Sequence, residues 1–460
     1  MQELTALILP DIQTLLADVP PPPEVQAHLR DLVAELHPAD VADLIENLDP
    51  EPAANFFSCL QNGSQREVFD YLPESSQLEL IERLGPRRMV PVIEAMSSDE
   101  RADLVKALPE QTVQRLLPLV AQAERNDILR LVKYEEGTAG AVMSSEYASL
   151  PADLMVRQAL DRLRQVAPNR ETIYYVYITD EERRLRGVIS LQELILAQPE
   201  KRLEELMHAN PIHVHVEDPE EDVAQTLAHY DFIAVPVVDD QHRLMGIVTY
   251  DDAMDVAESE ATEGFHKAGG SLALGDVGPE EAPVSLLFRK RVFWLLILVF
   301  GNLFSAAGIA HFEQTIAAYV ALVFYLPLLI DSGGNAGSQA ATLMVRALAT
   351  GSVCLRDWGR LLAREFAVSG LLGLAMAMAV ASIGAVRSGP QISLIVASSM
   401  ATIVVIGSIV GMSLPFLLSR LGLDPASASA PLVTSICDAL GVVIYLSIAV
   451  AVLGAPSPGP

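Results

Sequence analysis

Hydrophobic and polar positions follow three different regimes along this chain of 460 residues. Residues 37–120 divide into seven consecutive twelve-residue units, beginning HPADVADLIENL and DPEPAANFFSCL and ending PEQTVQRLLPLV. Positions 8, 9 and 12 of each unit are apolar, as in Leu44/Ile45/Leu48, Phe56/Phe57/Leu60 and Leu104/Val105/Leu108. That spacing places three anchors on one face of a two-turn helix. Pro, Gly, Asp or Ser stands within the first three residues of every unit, where such residues end one helix and cap the next. Helices this short cannot bury a face alone, so the pattern predicts a stacked helical superhelix with a helical tail to about 135.

From about 143 to 257 the pattern turns to mixed α/β and repeats itself. Ala159-Leu160, Tyr174–Thr179 and Gly187-Val-Ile-Ser190-Leu-Gln-Glu193 run parallel to Thr226-Leu227, Ala234–Asp239 and Gly246-Ile-Val-Thr249-Tyr-Asp-Asp252. The two glycines are 59 residues apart, as their numbers show. This helix–strand–strand–helix unit, closing on Gly-apolar-apolar-Ser/Thr-x-x-acid, resembles a tandem pair of CBS domains. Many such pairs bind adenosine nucleotides through the Ser/Thr-x-x-acid positions, which here are Ser190/Glu193 and Thr249/Asp252; others bind nothing.

Beyond Arg291 come five apolar stretches, at about 292–310, 315–349, 366–386, 392–418 and 430–454. Most have the roughly 20 residues needed to cross hydrocarbon. A cytosolic N-terminus places Arg289, Lys290, Arg291, Arg346, Arg356, Arg360, Arg364 and Arg420 inside, with only Arg387 outside. The basic residues thus predict a C-terminus on the outer side.

Charge sharpens the division. Residues 286–460 hold nine Lys/Arg and six Asp/Glu, which leaves 22 basic and 53 acidic residues in 1–285, a net −31. Such a half repels phosphates, which argues against a nucleic-acid partner. The three cysteines, Cys59, Cys354 and Cys437, are too scattered for a disulfide framework or a metal knuckle. MQELTALILPDIQ has neither the basic start nor the long apolar core of a signal peptide, so the acidic half is expected in the cytosol.

Three features carry candidate chemistry. Pro327-Leu-Leu-Ile-Asp331-Ser-Gly-Gly-Asn335-Ala-Gly-Ser-Gln339 lies inside the second apolar stretch. Gly333, Gly334 and Gly337 free its backbone and predict a broken helix of the kind that builds ion sites; a glycine-lined helix contact is the alternative. Asp438, in APLVTSICDALG, is a carboxylate at membrane depth with no Lys or Arg at comparable depth in any apolar stretch. An ionised Asp there costs at least about 2.5 kcal/mol, and a mobile cation is its simplest partner. Asp251–Glu263 carries six carboxylates and no basic residue on a helix leading towards the first span. Stacked like charges are unfavourable unless solvated or bridged by a hard divalent cation such as Mg²⁺.

A helical repeat domain, a CBS pair, an acidic linker helix and a five-span domain, in this order, resemble the MgtE family of magnesium transporters. The likeness is most specific in PLLIDSGGNAGSQ, PLVTSICDALG, YDFIAVPVVDD and GIVTYDDAMDV. It implies a multidomain membrane protein: an α-helical superhelical repeat domain (1–136), α/β tandem CBS domains (137–200 and 201–257), an acidic linker helix (251–284) and an α-helical transmembrane domain of five spans (285–460). The resemblance further implies a homodimer in the bacterial inner membrane that passes Mg²⁺ and closes when Mg²⁺ fills its cytosolic domains, possible regulation by ATP included. By it Asp438 is the pore carboxylate and Asn335 sits in the matching Gly-Gly-Asn turn. Sensor residues would be Glu67, Asp99 and Asp103 in the repeat domain, then Glu221, Asp231, Asp252, Asp255, Glu260 and Glu263. Departures are Gly264 after the last glutamate, Ala430 eight residues before Asp438, and the added carboxylate Asp331.

The rivals are conduction of Mn²⁺, Co²⁺ or Ni²⁺, and a membrane-tethered nucleotide sensor, in which neither Asp438 nor the glycine-rich segment would have a use. No P-loop or catalytic motif supports an enzyme. His213 and His215 read as solvent-facing strand histidines.

Overall fold

A computed structural model describes residues 2–16, 21–167, 170–272, 282–387 and 389–454. The chain forms two compact units, Met1–Ala257 and Glu258–Pro460.

The first unit opens with α1 (Gln2–Leu15) and α2 (Pro23–Val33). Seven helices follow, one for each twelve-residue unit: α3 (Pro38–Glu46), α4 (Pro50–Cys59), α5 (Asn62–Asp70), α6 (Glu74–Leu84), α7 (Pro86–Ile93), α8 (Ser98–Ala107) and α9 (Glu110–Leu116). Proline at the first helical turn of α3, α4 and α7 fixes φ where no N–H partner is needed. At α8 the Ser97 N–H donates to the Glu100 carboxylate at 3.3 Å, one arm of a capping box. Of the residues at repeat positions 8, 9 and 12, all but Leu84 and Leu117 are fully buried. Alternate helices pack (α3 on α5, α4 on α6, α5 on α7, α6 on α8), the stacking the repeat implies. α10 (Gln122–Leu131) closes the array against α8.

Two small α/β layers follow. In the first, β1 (Tyr147–Pro151) runs parallel to β2 (Thr172–Thr179), which pairs antiparallel with β3 (Leu185–Ser190), and β3 with β4 (His208–Ala209). α11 (Val156–Val166) and α12 (Leu191–Leu196) complete it. In the second, β5 (Val214–His215) is parallel to β6 (Ala234–Val238), which is antiparallel to β7 (Leu244–Thr249). α13 (Glu220–Tyr230) packs against β6, and α14 (Tyr250–Ala268) runs on past the end of the first unit. Gly187 and Gly246 hold matching places: a Cβ on Gly187 would lie 2.8 Å from Met207 Sδ, and one on Gly246 2.7 Å from the Ser144 carbonyl. Each is glycine because a neighbouring chain segment lies too close for a Cβ, which accounts for the repeat spacing. The linker helix reads as 251–284 in sequence; α14 ends at Ala268, and 273–281 lie outside the described residues.

The second unit holds α15 (Val284–His311), α16 (Glu313–Ala318), a 3₁₀ segment (Val320–Tyr325), α17 (Leu326–Ala349), α18 (Trp358–Arg387), α19 (Pro390–Arg420) and α20 (Ala430–Leu453). Five of its helical stretches are long and apolar enough to span a bilayer. α15 has no buried residue, and its exposed Phe288, Phe293, Phe300 and Phe304 suit hydrocarbon rather than water.

The expected break at Gly333-Gly334 is corrected by the structure. α17 is continuous through all three glycines, and the interruption lies ahead of it, where the short α16 gives way to the 3₁₀ segment at Tyr319. The glycines serve close packing. A Cβ on Gly337 would lie 2.8 Å from the Gly407 carbonyl, and one on Gly411 would overlap the Gly337 carbonyl. Gly333/Gly337 and Gly407/Gly411 are thus two facing small-xxx-small pairs that let α17 and α19 touch backbone to backbone. Overpacking costs typically about 1–3 kcal/mol. Gly411→Val is therefore expected to lower the unfolding midpoint of the detergent-solubilised protein, whereas Gly359→Val, into open space, leaves it in place. Equal midpoints would remove the packing role.

Candidate ion path and acidic carboxylate sites

α20 carries Asp438 eight residues after Ala430, about 12 Å from its first residue at 1.5 Å per residue. The side chain is partly buried, and its Oδ1 is enclosed without a hydrogen-bond partner among the described residues. Its neighbour in charge is Asp331 on α17. Asn335 Nδ2 donates to Asp331 Oδ2 at 3.0 Å, one helical turn apart, so Asn335 stands on a helix face and not in a turn. Ser338 Oγ meets Thr434 Oγ1 at 3.2 Å, and a Cβ on Gly334 would lie 2.9 Å from Thr434 Cγ2. These contacts seat α20 beside the α17 stripe of Asp331, Asn335, Gln339 and Thr342, all exposed. The stripe is polar where the surrounding surface is apolar, and two carboxylates lie along it without a cation.

Sequence reasoning passed over Glu365, which enters the membrane on α18 and interacts with Ser408 of α19. The lone acid just before the 366–386 stretch was its only signal.

In the first unit Asp99 on α8 and Asp252 on α14 act on one another electrostatically, and Glu171, in the connection between α11 and β2, acts with them. Asp99 is buried, 6% exposed, and its Oδ1 has no partner among the described residues. Burial, then the Asp252 and Glu171 charges, push its carboxyl well above the usual carboxylate range. Burial likewise raises Asp252 to about 7, with Asp251 and Glu100 adding to it. Glu171 is also raised to about 7, by burial and then by Asp252, Glu100 and Glu146. Hydroxyls line the same place: Ser98 Oγ lies 3.2 Å from Ser144 Oγ, which donates to Glu171 Oε2 at 3.3 Å. Glu171 carried no sequence signal, being one acid among 53.

The remaining candidates lie apart. Glu67 is exposed on α5, beside the raised carboxyl of Asp70. Asp103 is engaged by Lys106 at 2.9 Å. Glu221 accepts from Gln225 at 3.2 Å, and Asp231 caps α13 in the left-handed region, φ 54. Asp255 and Glu260 are exposed on α14. Glu263 is paired with Lys267 at 2.7 Å, and Lys267 also reaches Asp424 at 2.6 Å. Among the described residues no three His, Cys, Asp or Glu side chains converge as a complete coordination sphere.

The nucleotide candidates act locally as helix caps. Ser190 N–H and Oγ donate to Glu193 Oε2 at 2.9 and 2.7 Å, and His208 Nε2 lies 2.6 Å from Glu193 Oε1. Thr249 Oγ1 donates likewise to Asp252 Oδ2 at the start of α14. His213 and His215 do not converge: His215 faces Asp240 at 3.1 Å and His213 stacks edge-on to His242.

A helical repeat array, a paired α/β module and membrane-length helices enclosing an unpartnered carboxylate define a multi-pass membrane protein that handles cations. Family models agree along the chain: MgtE intracellular N domain at 36–137, CBS domain at 139–200 and 203–259, and MgtE, divalent cation transporter, at 326–448. The chain is 42% identical to the magnesium transporter MgtE of Thermus thermophilus over 76% of its own length and 78% of that protein's. It is 35% identical to the magnesium transporter MgtE of Enterococcus faecalis over 71% of both. A crystal structure of the soluble part of a magnesium transporter, 33% identical, superposes with a TM-score of 0.50, covering 56% of this chain and 99% of that one. The chain belongs to the MgtE family.

Proposed function

We propose that the protein carries Mg²⁺ across a bacterial inner membrane along a path past Asp438, as a homodimer, and that Mg²⁺ in its acidic cytosolic half closes that path. The enclosed, unpartnered Oδ1 of Asp438 carries the reading. A carboxylate left so at membrane depth is unfavourable alone and favourable beside a cation. One acid per subunit attracts an ion without trapping it, as conduction requires. The exposed polar stripe of α17 supports the dimer, since a second copy would shield it from lipid. The basic residues at the helix ends support a cytoplasmic N-terminus and an external C-terminus.

Purified protein in liposomes is expected to admit Mg²⁺, reported by an enclosed dye, and cross-linking is expected to trap a dimer. Entry of Mn²⁺, Co²⁺ or Ni²⁺ with no entry of Mg²⁺ would replace the ion assignment.

For regulation, Asp99 and Asp252 are the pair best suited to a hard cation, because a divalent ion replaces the protons that burial now favours. Adenosine nucleotide as a weak modulator rests on Ser190/Glu193 and Thr249/Asp252. Calorimetry on the whole protein is expected to show weak ATP heat that Glu193→Ala diminishes. Absence of heat would dispose of the nucleotide.

A further inference from the structure

Residues 1–285 hold 53 acidic against 22 basic residues, and several arginines of the first unit are paired accordingly. Arg66 pairs with Asp70, Arg83 with Glu79, Arg101 with Glu146 and Arg130 with Asp127. Arg30 on α2 and Arg88 on α7 have no carboxylate partner among the described residues, and both line one cavity of about 430 Å³. Ser58, Gln61 and Gln65 share the lining, and no Asp or Glu belongs to it. We infer that this cavity between α2, α4, α5 and α7 binds a small phosphate-bearing anion, a ligand unrelated to the ion path.

The geometry is prepared for such a ligand. Arg30 Nε donates to the Cys59 carbonyl at 2.6 Å, which fixes the guanidinium against the end of α4 and leaves its two terminal nitrogens for another acceptor. Gln65 Nε2 donates to the Phe57 and Leu60 carbonyls at 3.0 and 3.3 Å, satisfying the same helix end. Ser58 contributes to the cavity wall, and its Oγ is enclosed with no partner among the described residues. Gln61 is the N-cap of α5 and provides no side-chain cap to the N–H groups of that helix's first turn. Arg88 sits in the first turn of α7, which carries no acid; a cation at that end opposes the helix dipole. Both guanidinium charges act on the Cys59 thiol.

Two unpaired guanidiniums are disposed to take phosphate oxygens in the paired manner at which arginine excels. The cavity falls within the size range of small-ligand sites. Long-range attraction cannot account for binding, because the field of this unit repels anions. Any affinity must come from the local donors.

The test titrates pyrophosphate into the full chain in detergent with EDTA, read by calorimetry and by ³¹P line broadening. Pyrophosphate lacks a nucleoside and so does not report on the CBS pair. Saturable binding in the millimolar range or tighter is expected, weakened at least about tenfold by Arg88→Gln and by Arg30→Gln. Arg87→Gln, one residue away and outside the lining, should leave it unchanged. Because Arg30 also holds the end of α4, its variant counts only if the unfolding midpoint is retained; Arg88→Gln carries the test otherwise. Absence of saturable binding, equal binding by citrate, or full binding by Arg88→Gln would each overturn the assignment.

Discussion

Asp438→Ala is expected to cut Mg²⁺ flux into liposomes by about 30-fold or more while leaving the protein folded and dimeric. At an effective dielectric of about 20, a divalent ion about 4 Å from a carboxylate gains roughly 8 kcal/mol gross. If only a quarter of that survives the ion's dehydration, about 2 kcal/mol remains, or about 30-fold in occupancy. Folding should not suffer, because the wild-type side chain leaves Oδ1 enclosed with no hydrogen-bond partner among the described residues. Removing an unpaired carboxylate from that position relieves its own burial cost and its repulsion from Asp331. The unfolding midpoint without Mg²⁺ is accordingly expected to stay level or rise. Asp438→Asn keeps the shape and should fail too, since charge rather than bulk attracts the ion. Asp331→Asn, losing a carboxylate already bonded to Asn335, should reduce flux less. Near-normal uptake by Asp438→Ala would end the assignment, and unfolding of the variant would show that the carboxylate is structural.

What the sequence disclosed followed from periodicity. Three apolar anchors per twelve residues specified seven helices and their buried faces, because burial repeats with the helix. Gly187 and Gly246 marked the duplicated α/β unit because a neighbouring chain segment lies close to each at the same place. The same residue type misled at Gly333-Gly334. Glycine permits a break and also permits close approach, and which one occurs depends on what lies opposite. Gly407 and Gly411 held that answer 74 residues further on, as a spacing meaningful only once paired with Gly333 and Gly337. Carboxylate partners were hidden for a like reason. Asp103 with Lys106 was readable at i,i+3, whereas Lys267 with Asp424 spans 157 residues, and Glu171 joins Asp99 only through the fold.

The buried pair decides the second large effect. Asp99→Asn combined with Asp252→Asn is expected to leave the path open at internal Mg²⁺ concentrations that close the wild type. Without a cation, burial favours the protonated form of both carboxyls. On the proposed reading a divalent ion displaces those protons and ties α8 to the first turn of α14, the helix that runs out of the first unit. An ion at 100 times its dissociation constant stabilises the bound form by about 2.7 kcal/mol, enough to bias a two-state gate about 100-fold. The amide pair lacks the negative charge that holds a divalent ion, so the wild-type rise in unfolding midpoint with Mg²⁺ should shrink along with closure. Neutralising Asp255 and Glu260, exposed on the same helix, tests whether general charge relief does the same. Bridging predicts that the buried pair dominates and that flux persists at high Mg²⁺. Repulsion alone predicts the reverse: a path closed even in EDTA once the charges are gone. Monovalent salt at matched ionic strength separates the two further, because it screens surface charge without joining two carboxylates. Limited proteolysis of the full chain in Mg²⁺, EDTA and matched NaCl should therefore show protection in Mg²⁺ alone, and that protection should be lost in the Asp99/Asp252 variant.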